Sequence, residues 1–305
     1  MLDFLHNMDW TVAIRSDILT LIFKMFTLIG DSGFLLLLVS VGYWVIRKNA
    51  FARVGLFLLL SALLNAYLKD FFQDPRPDAI FHLDAKVGKS FGFPSGHSQI
   101  AVIVWFWLAW EYRKTWGWIA SSILVVGICF SRLYLGVHDV EDVLGGVGIG
   151  LISFLTFIFL TSKRFEWWKN INPIWQMVAI ILIEAAFFLT WPGKLQERIL
   201  GYGIFLVGFW TGVIVNKQKI RFLRSMDWRK IVGASLIGLV GLFTLRKGLP
   251  ELGSILSLDG TIFRLLNQGL VVSFYITAIA PWIFQILKLG DNRDNSHETL
   301  ELYGN

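Results

Sequence analysis

Nine apolar stretches run through this chain, at 33–46, 51–68, 98–110, 117–134, 142–160, 173–191, 199–215, 231–245 and 269–287. Most approach the roughly 20 residues of helix that a hydrocarbon layer about 30 Å thick requires. Hydrophobic residues fill 55% of the 305 positions and charged residues 16%, which is too apolar for a water-soluble domain of this size. The 14 Trp and 26 Phe fit the same setting, because amphipathic aromatics collect where headgroups meet hydrocarbon. The expected fold is an all-α integral membrane protein, a multi-span bundle of about nine transmembrane helices. Segment 9–29 mixes Arg15, Asp17 and Lys24 with Ile, Leu and Phe, and reads as an amphipathic helix lying in the interface. Segment 249–266 is ambiguous between interface and span.

The net charge of +6 comes from short basic clusters between apolar runs, so it reads as a topology signal and not as a nucleic-acid surface. Sixteen of the 28 Lys and Arg residues, Arg47, Lys48, Arg113, Lys217 and Lys219 among them, fall in one set of alternating loops. Nine fall in the opposite set, and Lys69, Arg76 and Arg132 belong to polar blocks considered next. The positive-inside rule then puts the N-terminus outside and the C-terminus in the cytoplasm. The first thirty residues carry acids and no small-residue cleavage pattern, so no removable signal peptide is expected. The single Cys129 leaves no internal disulfide and no cysteine metal cluster.

Three polar blocks interrupt this pattern. After the second stretch the chain reads Lys69-Asp-Phe-Phe-Gln-Asp-Pro-Arg76-Pro77; before the third it reads Phe93-Pro94-Ser95-Gly96-His97; between the fourth and fifth it reads Ser131-Arg132, then His138 and Asp142. Parity of the stretches puts all three at one membrane face. Lys69, Arg76 and Arg132 supply fixed positive charge for phosphate oxygens, Arg as a two-donor fork and Lys as a point charge. Ser95, Gly96 and His97 lie where a loop enters a helix, so backbone N–H groups and the helix dipole can face an anion. His138 and Asp142 are four apart, which sets the carboxylate beside the imidazole; Asp142 then holds one ring nitrogen protonated and leaves the other available for attack.

In this order and spacing the blocks resemble the three-part signature of the type 2 phosphatidic acid phosphatase superfamily: Lys-x6-Arg-Pro, Pro-Ser-Gly-His and Ser-Arg-x5-His-x3-Asp. The resemblance covers roughly residues 31–160. It implies catalysis by His138, His97 and Asp142, with His138 forming a phosphohistidine, His97 protonating the leaving oxygen, and water resolving the adduct. It implies phosphate binding by Lys69, Arg76, Ser95, Gly96 and Arg132, and neither metal nor cofactor. The superfamily also holds vanadium haloperoxidases, so vanadate or phosphate is expected to inhibit.

The chain accordingly divides into an N-terminal interfacial segment, 1–30, a phosphatase core of five spans, 31–165, and additional C-terminal helices, 166–305. The leading function is removal of phosphate from a lipid phosphate or diphosphate such as phosphatidate, phosphatidylglycerophosphate or a polyprenyl diphosphate. Hydrolysis of a soluble sugar phosphate in the manner of glucose-6-phosphatase is the alternative, followed by a lipid transporter that binds phosphate without hydrolysis. The expected location is a bacterial inner membrane with the active site on the non-cytoplasmic face, and the expected partners are the bilayer and a lipid phosphate, with no nucleic acid. Asp139, Glu141, His6, His82 and His297 read as solvated polar residues. Glu184 stands inside the sixth apolar stretch, where an ionisable group is usually paired or lines a cavity.

The orientation is open to direct test. With Cys129→Ser as background, a cysteine at position 86 is expected to react with an impermeant thiol reagent added outside, and one at position 219 is not; the reverse pattern would invert the topology.

Overall fold

Each of the nine apolar stretches falls on a helix, and most helices begin at a polar residue suited to cap them. In the computed structural model, residues 3–84, 90–162, 171–194, 197–257 and 260–290 are described; they are helical with one isolated antiparallel bridge, Arg224 to Gly290. After two short helices, Asp3–His6 and Asp9–Ala13, we number the long ones in chain order. These are α1 (Asp17–Gly30), α2 (Ser32–Val41, prolonged by a π-helical turn Gly42–Ile46), α3 (Lys48–Phe72), α4 (Gly96–Tyr112) and α5 (Thr115–Tyr134). They continue with α6 (Val140–Thr161), α7 (Pro173–Leu189), α8 (Glu197–Val215, prolonged by Asn216–Ile220), α9 (Trp228–Ile255) and α10 (Thr261–Ile286). Asp31, Asp139, Asn172 and Asp227 each accept a backbone N–H from the first turn of the helix they precede, satisfying donors that have no intrahelical partner.

The expected count of nine spans is not confirmed by helix length and composition. Among the described residues six helices, α3, α5, α6, α8, α9 and α10, are long and apolar enough to cross a bilayer alone, and the bent pair α1 with α2 passes the same test when taken together as one broken span. Both α4 and α7 have 17 residues, a rise of roughly 25 Å that falls short of the hydrocarbon thickness. The segment read as interfacial packs on α5. Helix α1 bends by 54° into α2 at Asp31, lays Phe26 and Gly30 against Gly127 and Ile128 of α5, and exposes Ile18, Leu21, Met25 and Leu28. The ambiguous 249–266 holds the end of α9 and the start of α10.

Water does not drive helices together inside a bilayer, so close packing must. Two pairs of glycines four apart provide it. A Cβ placed on Gly150 of α6 would stand 2.9 Å from the Gln99 carbonyl oxygen and 2.9 Å from the Val102 Cβ on α4, and Gly146 is pressed on the Ser95 carbonyl in the same way. Gly208 and Gly212 of α8 meet Ser273 and Thr277 of α10. In α10 the π-helical turn Tyr275–Ile279 disturbs the regular ladder; Trp44 Nε1 donates to the Ile276 carbonyl at 2.7 Å, and Asn216 Nδ2 to that of Thr277 at 2.9 Å. Backbone groups away from water need such partners.

Successive helices alternate direction, so the C-terminal ends of α3 and α5 and the N-terminal ends of α4 and α6 lie together. Seam geometry yields a prediction: Gly150→Leu should lower the melting temperature of the detergent-solubilised protein by an amount corresponding to about 1–3 kcal/mol of overpacking. Gly148, with nothing within 4 Å of its added Cβ, should tolerate Leu. Equal melting of the two variants would contradict the seam.

Candidate active site

Lys69 stands in the last turn of α3, which ends at Gln73 in a left-handed conformation, φ 52°. Its Nζ is buried and donates to the Phe91 and Gly92 carbonyls, both at 2.5 Å. Arg76 follows in an extended, proline-flanked segment and gathers three parts of the chain. Its Nε donates to the Ser90 carbonyl (2.7 Å), Nη2 to Ser90 Oγ (3.0 Å), and Nη1 to the Val137 carbonyl (2.8 Å) and to His138 Nε2 (3.2 Å). The guanidinium fork thus fixes the position of His138 from the first block.

His138 is 2% exposed and its Nδ1 lies 2.7 Å from Asp142 Oδ2. Burial, reinforced by Lys69, Arg76 and Arg132, pushes the imidazole well below its ordinary pKa. The tautomer these contacts select is neutral, with Nδ1–H donating to the carboxylate and Nε2 accepting from Arg76. Asp142 itself is fully buried. Its backbone N–H donates to Asp139 Oδ1 at 2.9 Å, and its carbonyl accepts from Ser95 N at 2.9 Å.

Gly96 and His97 are the first two residues of α4. A Cβ on Gly96 would stand 2.9 Å from Asn65 Oδ1, and the His97 ring packs under Gly30. His97 Nε2 and Arg132 Nε are buried with no hydrogen-bond partner among the described residues, while Arg132 Nη1 donates to Thr27 Oγ1 at 3.2 Å. Lys69, Arg76, Gly96, His97, Arg132 and His138 all line one cavity of about 810 Å³. Ser95 departs from its expected place. Its amide is taken by the Asp142 carbonyl, its hydroxyl accepts from Ser98 at 3.0 Å, and it lies outside the cavity lining, because it ties the second block to α6 instead of facing the opening.

Several contributors went unread in the sequence. Asn65 donates to the Pro94 carbonyl (3.1 Å) and to Gln99 Oε1 (2.9 Å), and Gln99 in turn reaches Ser61; polar residues amid the apolar runs of α3 and α4 were the available signal. Asp139 is a correction: it is 5% exposed, not solvated, because it caps α6 and meets His6 Nδ1 at 2.7 Å. That hydrogen bond raises the His6 pKa, and His6 Nε2 also stands 3.1 Å from Glu141. His82 Nε2 pairs with the Pro77 carbonyl at 2.9 Å. Glu184 is buried, with Oε1 lacking a hydrogen-bond partner among the described residues, and it does not line this cavity. His297 lies outside the described residues, as does position 86.

A buried neutral histidine has a signature in pH. The unfolded chain protonates His138 near pH 6.5 while the folded one resists, so stability present above that pH is lost as pH falls below it, by at most about 1.4 kcal/mol per pH unit. The melting temperature should therefore drop more between pH 7.5 and 5.5 for the wild type than for His138→Asn. Parallel losses would argue against it.

Comparison with known proteins agrees with the position of these blocks. A family model described as PAP2 superfamily matches residues 50–168, and a second, described as PAP2 superfamily phosphatase, transmembrane extension, matches residues 200–293. Phosphatidylglycerophosphatase B from Bacillus subtilis (strain 168) is 35% identical over 161 residues, covering 47% of this chain and 75% of that protein. Sphingosine-1-phosphate phosphatase 2 from Mus musculus is 27% identical over 178 residues, 56% of this chain but only 49% of that protein's length. The crystal structure of the first transmembrane PAP2 type phosphatidylglycerolphosphate phosphatase from Bacillus subtilis matches with a TM-score of 0.45 and 29% identity, over 51% of this chain and 84% of that one. With a 35% identical relative covered over three quarters of its length, the chain belongs to the PAP2 superfamily, whose phosphatases are hydrolases.

Proposed function

We propose that this protein removes phosphate from a lipid phosphate or lipid diphosphate through a covalent intermediate on His138. The observation that carries this reading is the His138 ring itself: Nδ1 is held by Asp142 at 2.7 Å, and Nε2 is turned toward Arg76 in a cavity shared with Lys69, Arg132 and His97. The Nε2 lone pair, released from Arg76 Nη1, attacks phosphorus while the bond to the leaving oxygen breaks, and His97, protonated when the phosphate dianion offsets the surrounding cations, gives that oxygen its proton. Water then attacks the phosphohistidine, His97 takes the water proton, and orthophosphate leaves with His138 restored. Lys69, Arg76 and Arg132 neutralise charge on the nonbridging oxygens. The catalytic charge is supplied by side chains, so no divalent ion has a step to perform.

A lipid is favoured over a sugar phosphate by the remainder of the cavity, which runs past Leu58, Leu59, Leu36, Val39 and Phe209. From Lys69 to Gly55 along α3 is fourteen residues, a depth of about 21 Å, and its walls suit a hydrocarbon chain better than hydroxyl groups. Relatives named for phosphatidylglycerophosphate and sphingosine-1-phosphate support the same class.

The test is phosphate release in mixed micelles from phosphatidate, phosphatidylglycerophosphate and a polyprenyl diphosphate, beside glucose-6-phosphate in solution. Activity should be highest on a lipid, persist in EDTA and fall with vanadate. His138→Ala should abolish it, and His97→Ala should cost about 10² to 10⁴ in kcat. Near-normal turnover by His138→Ala would sink the nucleophile, and preference for the sugar phosphate would sink the lipid reading.

A further inference from the structure

The cavity that holds the candidate catalytic residues is not closed by the phosphatase core alone. Its far side is built from α8, α9 and α10, which bring Glu197, Tyr202, Arg246 and Arg264 to the same opening. Of the charged groups lining it, five are permanently cationic (Lys69, Arg76, Arg132, Arg246, Arg264) and two are carboxylates, Asp31 and Glu197. Three of the cations belong to the proposed reaction. Two do not.

Depth places those two with the others. Ile199 of α8 packs on Leu63 and Ala66, one turn before Lys69, and Trp191 Nε1 donates to Asp70 Oδ2 at 2.9 Å, so α8 begins at the membrane level where α3 ends. Arg264 lies within the first turn of α10 and reaches Glu197 in the first turn of α8. On α9, Arg246 follows the apolar run 231–245, a rise of about 22 Å from the opposite face, which brings it to headgroup level.

Neither arginine is committed to the fold. Arg246 is exposed and makes no hydrogen bond or ion pair with the described residues. Arg264 meets Glu197 Oε2 at 3.6 Å with both side chains about half exposed, an arrangement worth little to stability. The other Glu197 oxygen is held by Thr261 Oγ1 at 2.7 Å, which leaves most of the Arg264 donors unspent. Arginines near span ends commonly snorkel to bulk lipid phosphates; these two instead line the cavity that also contains His138.

We propose that Arg246 and Arg264 form a second anion site, which takes a second anionic group on the same lipid whose phosphomonoester sits at Lys69, Arg76 and Arg132. This deepens the lipid phosphatase reading and rests on it. The two sites belong to different walls of one cavity: Lys69, Arg76 and Arg132 come from the core, Arg246 and Arg264 from α9 and α10, and α8 packs on both α3 and α10. Adjacent phosphates of a diphosphate share one bridging oxygen and stay side by side, which suits a single wall better than two. A headgroup with a phosphomonoester and a phosphodiester separated by a short spacer, as in phosphatidylglycerophosphate, matches the arrangement.

The experiment compares kcat/KM for phosphatidylglycerophosphate and phosphatidate of identical acyl chains in mixed micelles. The proteins are wild type, Arg246→Gln, Arg264→Gln and Arg246→Lys. Each Gln variant should lose tenfold or more on phosphatidylglycerophosphate, mainly through KM, and stay within twofold on phosphatidate; Arg246→Lys should retain part of the preference. Equal losses on both lipids, or none on either, would overturn the proposal. So would phosphatidylglycerol, added as a separate lipid, raising wild-type hydrolysis of phosphatidate but not that of Arg246→Gln, because the second anion would then belong to another molecule. A readout independent of turnover uses His138→Ala protein: phosphatidylglycerophosphate should raise its melting temperature more than phosphatidate does, and Arg246→Gln should erase the difference. No difference in the parent would also overturn the second site. Activity surviving His138→Ala would instead count against the catalytic reading and leave the lipid comparison standing.

Discussion

Asp142 is the residue through which the separate blocks become one site. Its carboxylate holds His138 Nδ1, its backbone N–H is fixed by Asp139, and its carbonyl receives the Ser95 N–H from the block that begins α4. One residue therefore determines the histidine tautomer, the start of α6 and the docking of α4 on α6. The same two helices then touch along Gly146 and Gly150, just beyond this junction. Position and chemistry are coupled here: a shift of the glycine seam would move Ser95 relative to Asp142, and hence the imidazole relative to Arg76. Gly92 completes the enclosure, since a Cβ there would stand 2.9 Å from Asp142 Oδ2.

The apolar runs made the helical class and the positions of the helices legible, because a bilayer imposes one length and one backbone solution on whatever crosses it. The count of spans was less legible. Whether 17 residues, as in α4 or α7, cross alone depends on what packs around them, and the 54° turn at Asp31 is invisible in hydropathy. The site residues were legible where chemistry demands a residue type at a spacing, as with Arg76 and Arg132, or His138 and Asp142. What was not legible is support given through backbone or distant contact: Ser90 under Arg76, Asn65 under Pro94, Thr27 beside Arg132. None of these has a spacing to the block it serves, because each arrives from another element. Ser95 illustrates the converse, a signature residue whose contacts are with the scaffold.

In sequence the residues after the core show only extra helices, yet residues 200–293 match a model described as PAP2 superfamily phosphatase, transmembrane extension. Structurally they do more than thicken the bundle. Helix α8 packs against α3 and α10, and Phe205, Phe209, Val272 and Ile276 complete the apolar wall of a cavity that also holds the candidate catalytic residues of the core. A five-helix core with that wall removed would open the apolar length of α3 sideways to bulk lipid. The extension thus converts a groove into a compartment with a bounded shape, and shape is what separates one lipid from another when the reacting phosphate is common to all of them.

Concentrating cations beside a buried neutral histidine is costly unless their donors are satisfied. Here Lys69 donates to the carbonyls of Phe91 and Gly92, and Arg76 to those of Ser90 and Val137. Backbone dipoles satisfy hydrogen bonds without cancelling formal charge. The field they leave is positive, and it already registers in His138, whose protonation Lys69, Arg76 and Arg132 all oppose. Asp142, the carboxylate nearest the ring, is committed to Nδ1 and lies outside the cavity lining. In the proposed reaction, an arriving phosphate dianion meets His138 Nε2 in the unprotonated form that the same cations favour. Under that proposal, the charge that would bind the substrate is also the charge that holds the histidine neutral.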